Sequence, residues 1–329
     1  MSLKTPVPIA TTVSIAALIV YTLVLDVKPS DITVVGLRAI IITSLLALAR
    51  LIVQGIRFYL IAKSVAGYDG IRASGSILIR MASEFVALIT PSYMGGEAMR
   101  IAWLKGQGIP TGRAIWAAYL EVLFDVIAGT TISIVASIIM IQMGAYFIGG
   151  VALLISCTVL GLYLMLAIVS MRRIMKLPGP LMKFLRRLSE KRAEALKDLV
   201  ERAVEAYNEA ASSLLRRGSL PNLFIITITT MVMVVLTGTI FWLIVSSAGV
   251  KLDLFFSILA VYTGITLGTV PITVGGSGLS ELGASLFTSV TLGSRAWGSV
   301  IAWRIVSYHV PLAITSVALV WAVYKKLKP

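Results

Sequence analysis

Ionisable residues interrupt the apolar stretches of this sequence, and several lie one helical turn apart. The pairs one turn apart are Arg80 and Glu84, Glu97 and Arg100, and Glu121 and Asp125. Glu281 and Arg304 are single charges further along the chain. Residues three or four apart share a helix face and can form a salt bridge. A charge in apolar surroundings needs a partner or water. The pattern therefore predicts either buried ion pairs, with Arg304 or Arg100 neutralising Glu121 and Asp125, or a polar cavity that binds a charged ligand or couples to protons.

Two similar proline–glycine motifs lie among these charges, 180 residues apart. The first contains Pro91, Gly95 and Gly96, and the second contains Pro271, Gly275, Gly276, Ser277 and Gly278. Proline ends a helix, and glycine allows the chain to turn with a positive φ. The helix that follows begins with free backbone N–H groups, which can bind an anion. The motifs predict two hinges, each with an anion-binding N–H cradle.

One alternative uses the same glycine motif as part of an enzyme. Ser277 follows the glycine pair and His309 lies in the next apolar stretch, so the two could form the nucleophile–base dyad of a rhomboid-like intramembrane serine hydrolase. His309 is the only histidine and Cys157 the only cysteine. This count excludes a multi-histidine or cysteine-based metal site, and we expect neither a metal nor another cofactor.

The composition places these residues in a membrane. Of the 329 residues, 58% are hydrophobic and 13% are charged, whereas soluble domains contain about 25% charged residues. The mean hydropathy is +0.94. The net charge of +14 comes from basic clusters between apolar stretches, where orientation signals and anionic lipids explain it better than nucleic acid. The composition predicts an all-α polytopic membrane protein.

Six stretches are long enough to cross a bilayer. They are about Val7–Leu25, Thr33–Val53, Ala114–Gln142, Ala145–Ser170, Leu223–Ser247 and Trp297–Tyr324. Two further apolar segments, 73–105 and 252–292, contain the proline–glycine motifs, and we expect them to form re-entrant helical hairpins. The whole chain, 1–329, is predicted to be one membrane domain, with halves 1–170 and 223–329 on either side of a cytoplasmic helical segment, 171–222.

Basic residues predict the orientation. They are frequent in 171–222 and after the last span, and Arg50, Arg57 and Lys63 flank the first interrupted segment. By the positive-inside rule these regions are cytoplasmic, so both termini of this cell-membrane protein are expected inside. The first hairpin would then enter from the cytoplasm and the second from outside. Such an inverted repeat places substrate near the midplane in transporters.

Two motifs resemble signatures of the lysylphosphatidylglycerol synthase transmembrane (flippase-like) family. The first is Pro91-x-x-x-Gly95-Gly96-Glu97-x-x-Arg100, followed by Glu121-x-x-x-Asp125. The second is Pro271-Ile272-Thr273-Val274-Gly275-Gly276-Ser277-Gly278-x-x-Glu281, followed by Arg304-x-x-x-Tyr308. Longer members, the multiple peptide resistance factors, add a soluble aminoacyl-transferase domain. This chain ends at Pro329, so the resemblance implies only the part that moves lipids. Similar domains attached to dolichol-type glycosyltransferases add polyprenyl-phosphate lipids to the candidates.

We therefore expect a flippase that moves an anionic or zwitterionic lipid headgroup through a polar cavity, with membrane lipids as its partners. The residues expected to bind the headgroup are Arg80, Glu84, Glu97, Arg100, Glu121, Asp125, Glu281, Arg304 and Tyr308. Two alternatives remain: the serine hydrolase, and a non-transporting membrane partner of a separate glycosyl- or aminoacyl-transferase. The pattern predicts no particular oligomeric state.

Overall fold

The computed structural model describes residues 19, 35–66, 70–91, 93, 95–171, 201–202, 204–212, 220–270, 272–292 and 297–324. Apart from one isolated β-bridge, the regular elements in these residues are helical. They are α1 (Gly36–Ala66), α2 (Ala73–Leu88), α3 (Gly96–Gly106), α4 (Thr111–Gln142), α5 (Tyr146–Met171), a stretch at 204–212, α6 (Leu220–Ser247), α7 (Leu254–Gly268), α8 (Leu279–Leu292), α9 (Trp297–Arg304), a π-helix (Ile305–His309) and α10 (Val310–Tyr324).

Five helices in the described ranges are long and apolar enough to cross a membrane. They cover Gly36–Val65, Thr111–Gln142, Tyr146–Val169, Leu220–Ser247 and Gly298–Tyr324. This confirms an all-α polytopic membrane protein. The predicted span 7–25 lies outside the described residues except for Ile19, and so does most of the segment 171–222.

Helix α1 extends well beyond the predicted span Thr33–Val53. Arg57 was expected to lie in a basic flank outside the membrane, but its side chain is completely buried within α1. A charge ends an apolar span only when it must reach water. Here Arg57 finds a protein partner, so the helix continues past it to Ala66.

The two interrupted segments form two helix pairs that pack closely. We call α2 with α3 the first hairpin and α7 with α8 the second hairpin. The connecting residues, 89–95 and 269–278, are the first break and the second break. Helix α7 begins at the N-cap Asp253, whose carboxylate accepts a hydrogen bond of 2.8 Å from the backbone N–H of Phe256.

The last transmembrane segment belongs to two different apolar clusters. Residues of α9, such as Val300 and Trp303, pack in a cluster with Leu259 and Phe287 of the second hairpin. Residues of α10 pack instead with the first hairpin, in a cluster of Leu78, Ala82, Phe85, Ile89, Ala318, Leu319 and Ala322. The π-helix joins the two halves of this segment.

The helical stretch at 204–212 packs against α4. Tyr207 is buried and its ring meets Trp116 of α4 edge-on, with 5.2 Å between the ring centroids. At the surface, Arg113 forms an ion pair of 3.4 Å with Glu209.

Candidate functional site

The glycines of the two breaks have different roles: those of the second break adopt a positive φ, and those of the first break allow close packing. In the second break Gly275, Gly276 and Gly278 have φ values of 55°, 62° and 88°, which confirms the predicted turn. The first break departs from the prediction, because Gly95 has a φ of −119° and Gly96 already begins α3.

In the first break the left-handed residue is Tyr93, with a φ of 59°. The glycine pair is needed for space instead. A β-carbon at Gly96 would lie 2.6 Å from the carbonyl oxygen of Ser83, and one at Gly95 would lie 2.8 Å from Cγ2 of Thr90. The small residues therefore let α3 pack closely against α2.

The two breaks are in direct contact. Pro91 and Val274 form an antiparallel β-bridge, and the backbone N–H of Gly275 donates a hydrogen bond of 3.1 Å to the carbonyl oxygen of Thr90. Segments that are 180 residues apart in sequence thus share one backbone pairing. We call this pairing the break contact.

Backbone N–H groups of the second break mostly bind protein acceptors. Besides the Gly275 bond, the N–H of Ser277 donates to the carbonyl oxygen of Val274 at 3.1 Å. The N–H of Gly278 donates to the Glu281 carboxylate at 2.8 Å. The predicted anion cradle is therefore occupied here by the protein's own groups, and the second break serves to hold structure together.

Arg304 fastens the second break to the last transmembrane segment. Its Nη2 donates to the carbonyl oxygen of Gly275 at 2.6 Å and to Oγ of Ser277 at 3.1 Å. Its Nε lies 2.8 Å from Glu281 Oε1, in a buried ion pair. The expected pairing of Arg304 with the carboxylates of α4 is wrong, because α8 brings Glu281 closer.

Tyr308 lies beside Arg304 and reaches the first break. The Arg304 guanidinium is 4.2 Å from the centroid of the Tyr308 ring. The Tyr308 hydroxyl donates a hydrogen bond of 3.0 Å to the carbonyl oxygen of Leu88. Arg304 and Tyr308 together therefore hold both sides of the break contact.

The contacts of Ser277 explain it without a nucleophilic role. A nucleophilic serine needs a base that accepts its proton, whereas the Ser277 oxygen accepts a hydrogen bond from the Arg304 guanidinium. That contact supports the second break. Nothing in the described residues favours a hydrolase dyad with His309.

Glu121 is the centre of a buried ion-pair network. Its Oε1 accepts a hydrogen bond of 2.7 Å from Arg80 Nε, and its Oε2 accepts one from Arg100 Nη1. Arg57 Nη2 lies 3.5 Å from Oε1. Three arginines from α1, α2 and α3 thus converge on one carboxylate of α4, and the expected Arg100–Glu121 pairing is confirmed.

The pairs expected from helical spacing are also present. Arg80 Nη1 donates to Glu84 at 2.7 Å, and Arg100 Nη2 donates to Glu97 at 3.1 Å. Arg50, which was expected only in a basic flank, lies 3.7 Å from Glu84. The network therefore extends along α2 and α3 and reaches α1.

The partner of Asp125 is a residue that sequence reasoning missed. Arg57 binds both carboxylate oxygens of Asp125, at 2.6 and 2.7 Å, and also donates to Thr230 Oγ1 at 3.1 Å. In the sequence, the feature that could have identified Arg57 is the apolar helical pattern that continues on both sides of it. An arginine inside such a pattern predicts a buried partner.

These charges border a cavity of about 450 Å³ inside the bundle. Both hairpins, α1, α4, α5, α6 and the last transmembrane segment contribute to its wall. The charged side chains that line it are Arg50, Arg80, Glu84, Glu97, Arg100, Asp125 and Arg304. Tyr93 and Tyr308, next to the break contact, also line it.

Carboxylates form most of the accessible charge in this cavity. The Asp125 side chain is 40% exposed while its partner Arg57 is 0% exposed. Likewise, Glu97 is 34% exposed and Arg100 only 4%. Among the arginines that line the cavity, Arg50 has the most exposed side chain, at 18%. Arg57 and Arg100 thus lie behind Asp125 and Glu97, which face the space where a ligand would bind.

The described residues contain no group of three histidine, cysteine, aspartate or glutamate side chains able to hold a metal ion. The polar groups that line the cavity include guanidinium, carboxylate, phenol and hydroxyl groups.

Comparison with known proteins gives the family. The family described as "Lysylphosphatidylglycerol synthase TM region" matches residues 9–315 of the chain. The chain belongs to this family. The match covers both hairpins, the ion-pair network and the break contact, so the resemblance seen in the two motifs is confirmed over nearly the whole chain.

Among curated proteins, a "UPF0104 membrane protein" of Archaeoglobus fulgidus is 26% identical over 268 residues. These residues cover 80% of this chain and 81% of the relative. No solved structure matches the chain. Membership of this family is consistent with a membrane protein that has a lipid-related role.

Proposed function

We propose that this protein is a lipid flippase whose cavity carries a polar headgroup across the membrane while the acyl or prenyl tails stay in the lipid. The observation that carries the proposal is a charged cavity enclosed by helices of membrane-spanning length. Charges at this depth are costly unless they are paired or hydrated. A cavity that already holds them gives a headgroup a polar route through the bilayer.

The balance of charge indicates which headgroup fits best. In the part of the chain that the structure describes, five arginines and five carboxylates take part in the ion pairs around the cavity: Arg50, Arg57, Arg80, Arg100, Arg304, Glu84, Glu97, Glu121, Asp125 and Glu281. This set has no net charge. A headgroup with one positive and one negative group can exchange partners with such a set and leave no charge unpaired. We therefore propose a zwitterionic headgroup.

The exposed fractions suggest how that headgroup is oriented. A cationic amine would bind the accessible carboxylates of Asp125 and Glu97. The phosphate would bind Arg50, the most accessible arginine of the cavity. Charge-assisted hydrogen bonds of this kind are stronger than neutral ones, so both groups would be held in a defined position.

Headgroup selectivity in a leaflet-exchange assay tests this proposal. The purified protein is placed in vesicles with labelled phosphatidylethanolamine, phosphatidylglycerol or a polyprenyl phosphate, and label that becomes accessible from the other leaflet is measured. We expect the zwitterionic lipid to exchange at least tenfold faster than the two anionic lipids.

Glu97→Gln gives a sharper version of the test, because Arg100 keeps its bond to Glu121. This variant should lower the ratio of zwitterionic to anionic exchange rates several-fold. Glu209→Gln, which changes an exposed ion pair on the 204–212 stretch, is the matched control and should leave the ratio unchanged. Faster exchange of the anionic lipids by the unaltered protein would exclude the zwitterionic assignment, and no exchange of any lipid would exclude the flippase.

The inverted placement of the two hairpins in the membrane is part of the same proposal, as are the orientation with both termini in the cytoplasm and location in the cell membrane. A separate lipid-modifying enzyme that supplies the headgroup remains a prediction.

A further inference from the structure

The residues that flank the break contact form part of the cavity wall. Leu88 and Tyr93 line the cavity from the first break and its flank, and Thr269 lines it from the second break. Arg304 and Tyr308, which hold the two breaks together, line it as well. A headgroup in the cavity therefore meets the residues that hold the break contact.

Few bonds between described residues join the two breaks across this contact. They are the hydrogen bond from Gly275 to Thr90, the bond from Tyr308 to Leu88, the bond from Arg304 to Tyr93, and the packing of Val274 on the apolar cluster of the first hairpin. The apolar residues on either side belong to separate clusters. The hairpins can thus separate here with the loss of the Val274 contact, while the rest of each cluster stays intact.

The last transmembrane segment has a weak point at the same level. The π-helix Ile305–His309 departs from regular α-helical hydrogen bonding. Pro311 follows within α10 and cannot donate a backbone hydrogen bond to the preceding turn. Bends in helices occur at prolines and π-bulges. Since α9 packs with the second hairpin and α10 with the first, a bend here would move the two hairpins relative to each other.

We propose that the break contact is the gate of the cavity and that the π-helix is its hinge. The gate opens when Tyr308 releases Leu88 and the pairing of Thr90 with Gly275 separates. Arg304 releases Tyr93 of the first break but stays with Glu281 and the second break, because those contacts lie on one side of the hinge. This inference rests on the proposed function, since the gate would control passage of the lipid headgroup.

A reversible crosslink across the gate tests the proposal. Cys157, the only cysteine, is first replaced by serine. Pro91 and Val274 are then both changed to cysteine. Opposite residues in an antiparallel pair have Cα atoms about 4.5–5.5 Å apart, within the range of a disulfide. Labelled-lipid exchange is measured in vesicles after oxidation and again after reduction.

The matched control is Ser133→Cys with Ser156→Cys, in the same background. Their hydroxyl oxygens are 2.9 Å apart between α4 and α5, and neither residue lines the cavity. We expect oxidation of the gate pair to reduce exchange to the rate of protein-free vesicles and reduction to restore it. The control pair should keep at least half of its rate when oxidised. Full exchange by the crosslinked gate pair would overturn the gate.

A distance measurement tests the hinge even if the protein moves no lipid in the exchange assay. Spin labels are attached at Ile272→Cys, in the second break, and at Tyr324→Cys, at the end of α10; both positions are exposed. Pulsed electron paramagnetic resonance should then show two populations of the distance between the spin labels. The longer distance should disappear when the labelled protein also carries the oxidised gate disulfide. One distance under both conditions would overturn the hinge. Absence of lipid exchange in the reduced protein would count against the flippase and not against the hinge.

Discussion

The substitution Glu121→Gln should strongly destabilise the protein. Glu121 is completely buried and binds Arg80 and Arg100, with Arg57 at 3.5 Å. Glutamine has nearly the same shape, but it is neutral and its amide nitrogen donates where one of the carboxylate oxygens accepts. One arginine would then face a donor, and three buried cations would share the loss of one negative charge.

The size of the expected loss in the free energy of unfolding follows from the burial of this network. Removing one partner of a buried ion pair costs about 3–5 kcal/mol, because the remaining charge is left without compensation. Glu84, Glu97 and Asp125 still neutralise part of the positive charge. We therefore expect a loss of about 3 kcal/mol in the free energy of unfolding, at the lower end of that range.

The assay is denaturant unfolding of the purified protein in detergent micelles, followed by tryptophan fluorescence. Glu209→Gln makes the same chemical change in an exposed pair with Arg113, where surface ion pairs contribute about 0–1 kcal/mol. The two variants should differ by at least 2 kcal/mol. Equal unfolding free energies would refute the view that Glu121 is the buried centre of the network.

Two further substitutions test the break contact by the same unfolding measurement. Gly275→Ala should lower the free energy of unfolding by about 1–3 kcal/mol, because φ is 55° and the new β-carbon would lie 2.6 Å from the Leu88 carbonyl oxygen. Its control is Gly150→Ala, in a helix with open space around the glycine. That change should be neutral or stabilising by up to about 1 kcal/mol. Tyr308→Phe removes the hydroxyl that donates to Leu88 and should cost about 1 kcal/mol, whereas Tyr324→Phe, at an exposed position, should change nothing. Equal effects within either pair of variants would contradict the assigned contacts.

Much of the fold follows from local patterns in the sequence. Long apolar runs give the spanning helices, and the proline–glycine motifs correctly mark both breaks. The π-helix Ile305–His309 could not be predicted, because no local pattern in the sequence distinguishes it from the α-helices on either side; Arg304 and Tyr308 at this point contact the two breaks, which are distant in sequence.

The site was predictable only where its contacts are local. The bonds between Arg80 and Glu84 and between Arg100 and Glu97 follow from spacings of four and three residues. The partner of Asp125 could not be found this way, since it is 68 residues earlier in the chain. The pairing expected between Arg304 and the carboxylates of α4 was wrong, because the sequence does not specify which carboxylate is closest to it in space.

The separation between Arg57 and Asp125 has a consequence for how the protein is made. Arg57 leaves the ribosome 68 residues before its partner, and at about 5–20 residues per second the delay is about 3–14 s. During this time α1 holds an arginine whose insertion into the bilayer costs about 2.5–3.5 kcal/mol. The helix therefore has to remain near the translocon, or among water and lipid headgroups, until α4 is synthesised.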